Sequence, residues 1–422
     1  MLRSITVSCV ALLPTLCIPH VVSASLGPFE HGSGIKAMGA GGVSYVGAQE
    51  TTALAANPAH ASALGQRYDI GLDLMLIRPD SSITGNALAP DERYPSDGRR
   101  WYPIPQAGFA MPLNERWAFG VTMLQAGLGP DYTRSPYARF GGGSRASLTL
   151  GSASIASALA WRPVEQHSFG AGLVFGYEFL SVKGLEFLTS TDPQFQVSTT
   201  PDRVTNQGTD GALSVGFTLG WTGQLTPQLS AGAGYRSKAW TQKLKAYRGL
   251  LPDGGSLELP AVFGVAFAWQ PQDAWTVALE WQHFAYGAEK AFGNPLSRLA
   301  EGHLLGSPDG PGFGLRDQDA YKLGVSWKVS TDLELRAGYL RANQSIQRSD
   351  TLFALQAPVA LTTHYTAGFT QALGQWELTG ALVYCPRQNV DGSGSIPEGF
   401  GGGEANVNNQ FSSMGLSLGR RF

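Results

Sequence analysis

Residues 213–221 read LSVGFTLGW, and an extended chain would put Leu213, Val215, Phe217, Leu219 and Trp221 on one face and Ser214, Gly216, Thr218 and Gly220 on the other. The same repeat returns through most of the chain. Trp117, Phe119, Val121 and Met123 alternate with Ala118, Gly120 and Thr122. Phe169, Ala171, Leu173, Phe175 and Tyr177 alternate with Gly170, Gly172, Gly176 and Glu178. Further copies run through Phe263–Trp269, Trp275–Trp281 and Tyr321–Trp327, with aromatic residues at the segment ends. A soluble sandwich also alternates, but there the large apolar face is the buried one. Here the opposing face is Gly, Ser, Thr, Glu, Lys and Arg, which suits a lipid-facing exterior around a wet or plugged interior.

Connection lengths point the same way. Short ones fall near 112–116, 162–166, 224–227, 270–273, 330–332 and 373–375, and long ones near 86–100, 129–145, 185–207, 246–255, 289–315, 347–359 and 389–407. Expected strands are 68–85, 101–111, 117–128, 146–161, 167–184, 208–223, 228–245, 256–269, 274–288, 316–329, 333–346, 360–372, 376–388 and 408–422. An even count allows an all-β, 14-stranded antiparallel transmembrane β-barrel to close with both ends on one side. Closure also removes the edges that lipid would leave unpaired. The expected location is the bacterial outer membrane. Only 15% of residues are charged and the formal net charge is -2, so nothing favours nucleic acid as a partner.

Residues 1–24 carry Arg3, an apolar stretch from Ile5 to Ile18 and small residues before Ala24, the pattern of a signal peptide cut after Ala24. Cys9 and Cys17 leave with it, so Cys385 stands alone, with no intramolecular disulfide and no cysteine metal cluster expected. Residues 25–67 lack the dyad repeat and are rich in Gly and Ala, with a short helix expected through Thr51–Ala56 that Pro58 would end. A lumen inside about fourteen strands is too wide for side chains alone to fill. The economical organisation is therefore a signal peptide (1–24), an N-terminal hatch inside the lumen (25–67) and the barrel (68–422).

With GSGIKAMGAGG (Gly32 to Gly42), the Ala-rich approach to Asn57, Pro58 and Ala59, ERWAFGVTMLQAGLGPDY (Glu115 to Tyr132) and a terminal Phe422 in this order, the chain resembles the FadL-type outer-membrane transporters of long-chain fatty acids and other hydrophobic compounds. The resemblance covers essentially the whole mature chain. It implies a barrel with no energy source and no cofactor. A hydrophobic ligand is captured by loops, bound in the lumen and released sideways at a kink in the third strand, into outer-membrane lipid. Gly127, Gly129 and Pro130 would weaken that strand's ladder. Leu185, Phe187, Leu188, Phe195, Leu250 and Leu251 are apolar residues in expected loops, serving either as a capture groove or as loop-on-loop packing. Phe422 resembles the signal read by the outer-membrane assembly machinery.

A fatty-acid carboxylate in the lumen wants a cation. Arg236, Lys322 and Arg336 face inward by parity, but Glu178, Glu280 and Glu334 share that surface, so wall ion pairs are the competing reading. Fatty-acid members of the family place basic residues late in the fifth strand, where this chain has Glu178-Phe179 and only Lys183 beyond. That departure leaves neutral aromatic hydrocarbons open as the ligand. An enzyme is not expected: His-Glu-x-x-His and Cys-x-x-Cys are missing. An open porin would need a lumen that residues 25–67 leave clear.

Overall fold

The structure is a computed structural model that describes residues 26–47 and 49–422. Residues 1–25, with the expected signal peptide and its cleavage point, lie outside the described residues. Eighteen hydrogen-bonded segments form one antiparallel sheet. Four neighbouring pairs of segments are halves of a single stave, so the wall has fourteen. These are β1 (Arg67–Ile77, Asp80–Thr84), β2 (Glu92–Pro95, Trp101–Pro112), β3 (Trp117–Leu128, Asp131–Tyr132), β4 (Ala146–Val164), β5 (His167–Lys183), β6 (Asp210–Thr226) and β7 (Leu229–Arg236, Trp240–Thr241). They continue with β8 (Val262–Gln272), β9 (Trp275–Phe284), β10 (Gln318–Lys328), β11 (Leu333–Ala342), β12 (Thr363–Leu373), β13 (Trp376–Val390) and β14 (Glu404–Arg421). The barrel closes where β1 meets β14, from Arg67 opposite Arg421 to Ile77 opposite Phe411.

The closed fourteen-stranded wall agrees with the dyad repeat, while several strand ends differ from expectation. Regular pairing in β7 stops at Arg236, because the Ser237 hydroxyl accepts the Phe217 N–H (2.9 Å) and takes the place of a ladder carbonyl. β14 begins at Glu404 instead of 408, its polar start pairing with Asp80–Thr84. Polar outward residues above an apolar belt read as loop in the sequence although the backbone is still extended.

Large side chains point outward into lipid, with Phe175 59% and Leu213 61% exposed. Aromatic pairs ring the short-turn end. Trp275 and Trp327 stack at 5.3 Å, Trp117 and Trp161 at 6.1 Å, and Tyr68 contacts Trp376 at 6.0 Å and Phe422 at 5.7 Å. Such girdles mark a membrane interface.

The small inner face admits backbone rather than side chains. Leu54 lies on Gly120, Ala59 on Gly170, Asn57 on Gly220, Tyr45 on Gly232, Ala40 on Gly324, Gly41 on Gly338 and Ile35 on Gly415, each so close that a Cβ would overlap its partner. Residues 26–47 and 49–66 thus lie against the inside of the wall, in short turns at Ile35–Gly39, Thr51–Ala55, Pro58–His60 and Ala61–Leu64. Gly232→Val would drive a side chain into the Tyr45 carbonyl. Overpacking of this kind costs about 1–3 kcal/mol, which should raise the undocked population of this segment by about five- to a hundredfold. Amide exchange of residues 35–60 measures it, with heat-modifiable gel migration showing that the barrel itself is intact. Wild-type exchange in the variant would mean that the glycine face does not hold the segment.

Candidate functional site

The inner segment is bolted to the wall at two levels. Lys322 on β10 stands directly opposite Glu280 on β9. The Lys322 ammonium donates to Glu280 Oε1 (2.8 Å), to Gln282 Oε1 (2.7 Å) and to the Gly42 carbonyl (2.9 Å). Glu280 Oε2 accepts the Ser44 and Tyr45 N–H groups at 2.7 and 2.8 Å, so a buried ion pair holds residues 42–45 by both ends of the charge. Nearer the short-turn end, Glu377 gathers Lys36 (2.5 Å), Arg67 (2.8 Å) and Arg421 (2.9 Å), while Asp69 accepts the Thr51 N–H (2.8 Å). Asn57, fully buried, spends every polar atom. Its amide nitrogen donates to the carbonyls of Tyr45 (2.9 Å) and Trp221 (3.0 Å), and its oxygen accepts the Ala59 N–H (3.1 Å) to cap the turn that Pro58 begins.

Two adjoining cavities lie above this floor and share Phe29, Leu124, Gln125 and Arg236 as lining. Arg236 projects from β7 over the Phe29 ring at 4.7 Å, with Glu178 and Glu30 as its acidic neighbours. Among the described residues its guanidinium has no ion pair within 4 Å. The other cation candidates are committed elsewhere. Lys322 is the bolt just described. Arg336 donates to Thr370 (2.7 Å) and Gln49 (2.6 Å) and pairs with Glu334 at 3.0 Å. Lys183 corrects the sequence expectation: it shares the parity of Phe175 and Tyr177, is exposed, and lines neither cavity. Glu178 receives the hydroxyls of Ser152 (3.0 Å) and Ser214 (2.9 Å).

The wall beside these cavities is incomplete. β2 pairs with β3 only from Pro112 opposite Ala118 to Gly108 opposite Thr122. Beyond that point β2 stays on β1 as far as Trp101 and β3 stays on β4 as far as Leu128, so the two staves part from each other alone. Ile77 donates to the Arg100 carbonyl (3.0 Å), which directs the even-numbered backbone groups of β2 towards β1. Pro103 and Pro105 therefore turn their missing donors towards β3, where a ladder bond cannot form. The Pro105 carbonyl accepts the Gln125 side-chain amide instead, and the Gly127 N–H donates to the Pro28 carbonyl (2.6 Å). Contact between the staves resumes where Gly98 donates to Asp131 (2.9 Å) and Tyr102 to Gly129 (2.6 Å). Gly127, Gly129 and Pro130 border this gap on one side. Pro103 and Pro105 border it on the other and were not singled out from the sequence, although two prolines within WYPIPQAG are a legible sign of a strand edge.

In the long loops, Leu185, Leu250 and Leu251 line a cavity together with Leu148, Leu305, Phe313 and Phe353, and among the described residues no charged side chain lines it. Leu188 is buried. Phe187 stacks on Tyr137 at 5.5 Å and meets Phe400 at 5.3 Å, whereas Phe195 stands apart, 63% exposed.

The sequence matches the family described as outer membrane protein transport protein (OMPP1/FadL/TodX) over residues 31–377. No curated protein matches it. Among solved structures it is similar to the P. putida toluene transporter TodX (TM-score 0.70, 19% identity), with 93% of this chain and 99% of that one covered. With the same coverage of each chain, 93% and 99%, it is similar to the Ralstonia pickettii toluene transporter TbuX (0.66, 18%) and to a Pseudomonas aeruginosa FadL homologue (0.68, 15%). The chain belongs to the OMPP1/FadL/TodX family and is an outer-membrane transporter of hydrophobic compounds; the family and these structural neighbours are transporters and channels, not enzymes.

Among the groups of the inner segment that titrate abnormally are two carboxyls and two histidines. Burial, reinforced by Asp73 and opposed by Arg236, pushes the Glu30 carboxyl up to about 8. Burial and Asp69, opposed by Lys36, raise Glu50 to about 7. Burial holds His60 down at about 4 despite its Ser44 carbonyl partner, and holds His31 well below its ordinary range with help from His364 and Lys322. Between 4.5 and 6.5 the undocked segment has lost protons that Glu30 and Glu50 keep when docked, while its histidines have gained protons that docked His31 and His60 refuse. These two effects oppose each other. Of these two effects the carboxyl one alone remains above 6.5, so docking should weaken as pH rises to 8. The expected loss is about tenfold or more in amide protection of residues 30–60, and Glu30→Gln should flatten the profile.

Proposed function

We propose, taking membership of this family as the premise, that the chain carries out passive uptake of long-chain fatty acids or similar hydrophobic molecules and releases them sideways through the wall. The loop cavity around Leu185, Leu250 and Leu251 takes the ligand first, since burying apolar surface there yields about 25 cal/mol per Å². The ligand then descends to the chamber shared by Phe29, Leu124, Gln125 and Arg236. Residues 26–67 act as the hatch beneath it, with Asn57, Pro58 and Ala59 at its anchored end. The ties formed by Lys36, Ser44, Tyr45 and Asn57 make wholesale ejection costly, so the moving part in this reading is the stretch before them, where the Pro28 carbonyl accepts the Gly127 N–H and Phe29 lies under Arg236 and against Phe284 and Tyr286. Phe29 leaving Arg236 would draw Pro28 off Gly127, which couples occupancy of the chamber to the gap.

The observation that carries this reading is the parting of β2 from β3 beside a cavity whose lining includes Pro105, Met123, Leu124 and Gln125. An apolar ligand leaving there enters lipid without crossing water, so release runs downhill. Ala107 and Met123 are the first opposed residues past the last ladder pair, and cysteines at both should staple the gap. Oxidised Ala107→Cys/Met123→Cys should lose about tenfold or more of its uptake while still binding ligand, and reductant should restore it, as expected of a gated step. Undiminished uptake by the stapled protein would rule out the sideways exit.

Neutral aromatic hydrocarbons are the second reading, favoured by the uncharged loop cavity. TodX and TbuX are described as toluene transporters. Arg236 separates the two ligands, because a carboxylate gains a charge-assisted bond from it and toluene does not. Arg236→Gln should weaken oleate binding by about tenfold and leave toluene within about twofold, since a hydrogen bond to a charged group contributes about 1.5–3 kcal/mol. Equal loss of both ligands would make Arg236 a structural residue of the chamber.

A further inference from the structure

The outer face of β1, β2 and β13 carries a cluster of arginines that transport does not use. Arg93 and Arg387 both bond Asp80, Arg387 at 3.1 Å, yet keep 64% and 45% of their side chains exposed. Asp80 itself is covered by the two guanidinium groups, at 5% exposure. Arg78 lies two residues before Asp80 on the same face of β1, is exposed, and has no side-chain partner among the described residues. The local chain is built to present these groups. A bulge between Cys385 and Gln388 keeps both of those side chains facing inward and turns Arg387 out. Arg93 alternates with the buried Tyr94 and therefore also points out.

The height of the cluster is as telling as its charge. Tyr68, Trp376 and Phe422 mark the girdle at the short-turn end. From Tyr68 the outward residues of β1 are Ile70, Leu72, Leu74 and Leu76, followed by Arg78. Ten residues at about 3.3 Å each, tilted by about 40°, rise about 25 Å, the height of the lipid-facing band of such a barrel. Arg78 therefore stands at the opposite interface, on the side of the long loops, just above the exposed Trp101 and Tyr384. Three guanidinium groups and one carboxylate leave a net positive site at headgroup level.

We propose that Arg78, Arg93 and Arg387 bind the phosphomonoester headgroup of an outer-leaflet lipid, with Asp80 as a positioning residue that holds Arg93 and Arg387 side by side. A guanidinium offers paired N–H donors that match phosphate oxygens, and a membrane interface lowers the screening that weakens surface charge elsewhere. The acyl chains of such a lipid would lie down the apolar faces of β1 and β13, against Leu74, Leu76 and Leu382.

Native mass spectrometry of the full-length protein in mild detergent tests this, with phosphatidic acid and phosphatidylcholine as probes. The wild type should retain phosphatidic acid in preference to phosphatidylcholine, and Arg78→Gln/Arg387→Gln should retain about tenfold less. Arg78→Lys/Arg387→Lys should recover part of that loss, and heat-modifiable migration reports that each variant is folded. Equal retention by wild type and the glutamine variant overturns the proposal. Displacement of the lipid by an equal concentration of inorganic phosphate also overturns it, because the site would then be one for a free anion.

Discussion

The buried pair of Lys322 and Glu280 fixes how the rest of the interior is arranged. Removing two charges from water is expensive, and such a pair is weak evidence for stability by itself. Its value here is geometric. Glu280 takes the N–H groups of Ser44 and Tyr45 while Lys322 takes the Gly42 carbonyl, so three consecutive peptide units are held against two adjacent staves. Once residues 42–45 are placed, Tyr45 can lie across Gly232 and receive Asn57 on its carbonyl, and the turn begun by Pro58 is carried to β5 and β6. The floor of the chamber is thus set by one ion pair and propagated by backbone contacts on glycine.

That arrangement explains why so plain an inner face is needed. Alanine at Gly170, Gly220 or Gly338 would collide with backbone or side-chain atoms of the inner segment. The wall is thinnest in side chains where the segment touches it and richest in charge just beside it, at Glu377, Arg67, Asp69 and Arg336. Dispersion from close backbone contact and a few saturated polar groups replace a conventional apolar core in this layer.

The fold was legible because parity is a direct consequence of the strand. Leu213 to Trp221 must face one way whatever the rest of the chain does, and lipid on that side requires every large residue to be there. Strand ends were less legible because Ser237 can substitute for a ladder carbonyl, and because Asn406 and Asn408 in β14 look like loop although they are paired. The chamber was legible only in part. Parity assigns a face but not a partner, so Arg236, Lys322 and Arg336 looked equivalent until Glu280 and Glu334 were seen to occupy the last two. Lys183 stands near the loop end of β5, where a lumenal cation would be useful, but its parity is that of Phe175 and Tyr177 and turns it outward. The pairing break between β2 and β3 depends on which way an N–H points, which becomes visible once the register with β1 is known.

A barrel wall normally has one special place, the seam where the last strand finds the first. In this protein the seam is the sound part, with eleven successive residue pairs between β1 and β14. The break lies one stave further on, and Pro103 and Pro105 lack the hydrogens that could mend it. Thermal motion can widen or narrow that slot but cannot zip it shut. From Trp101 to Ala110, β2 is accordingly fastened to β1 on one side, while on the other it is joined to β3 below and above the slot and is free only between, like the lip of a slit in taut cloth.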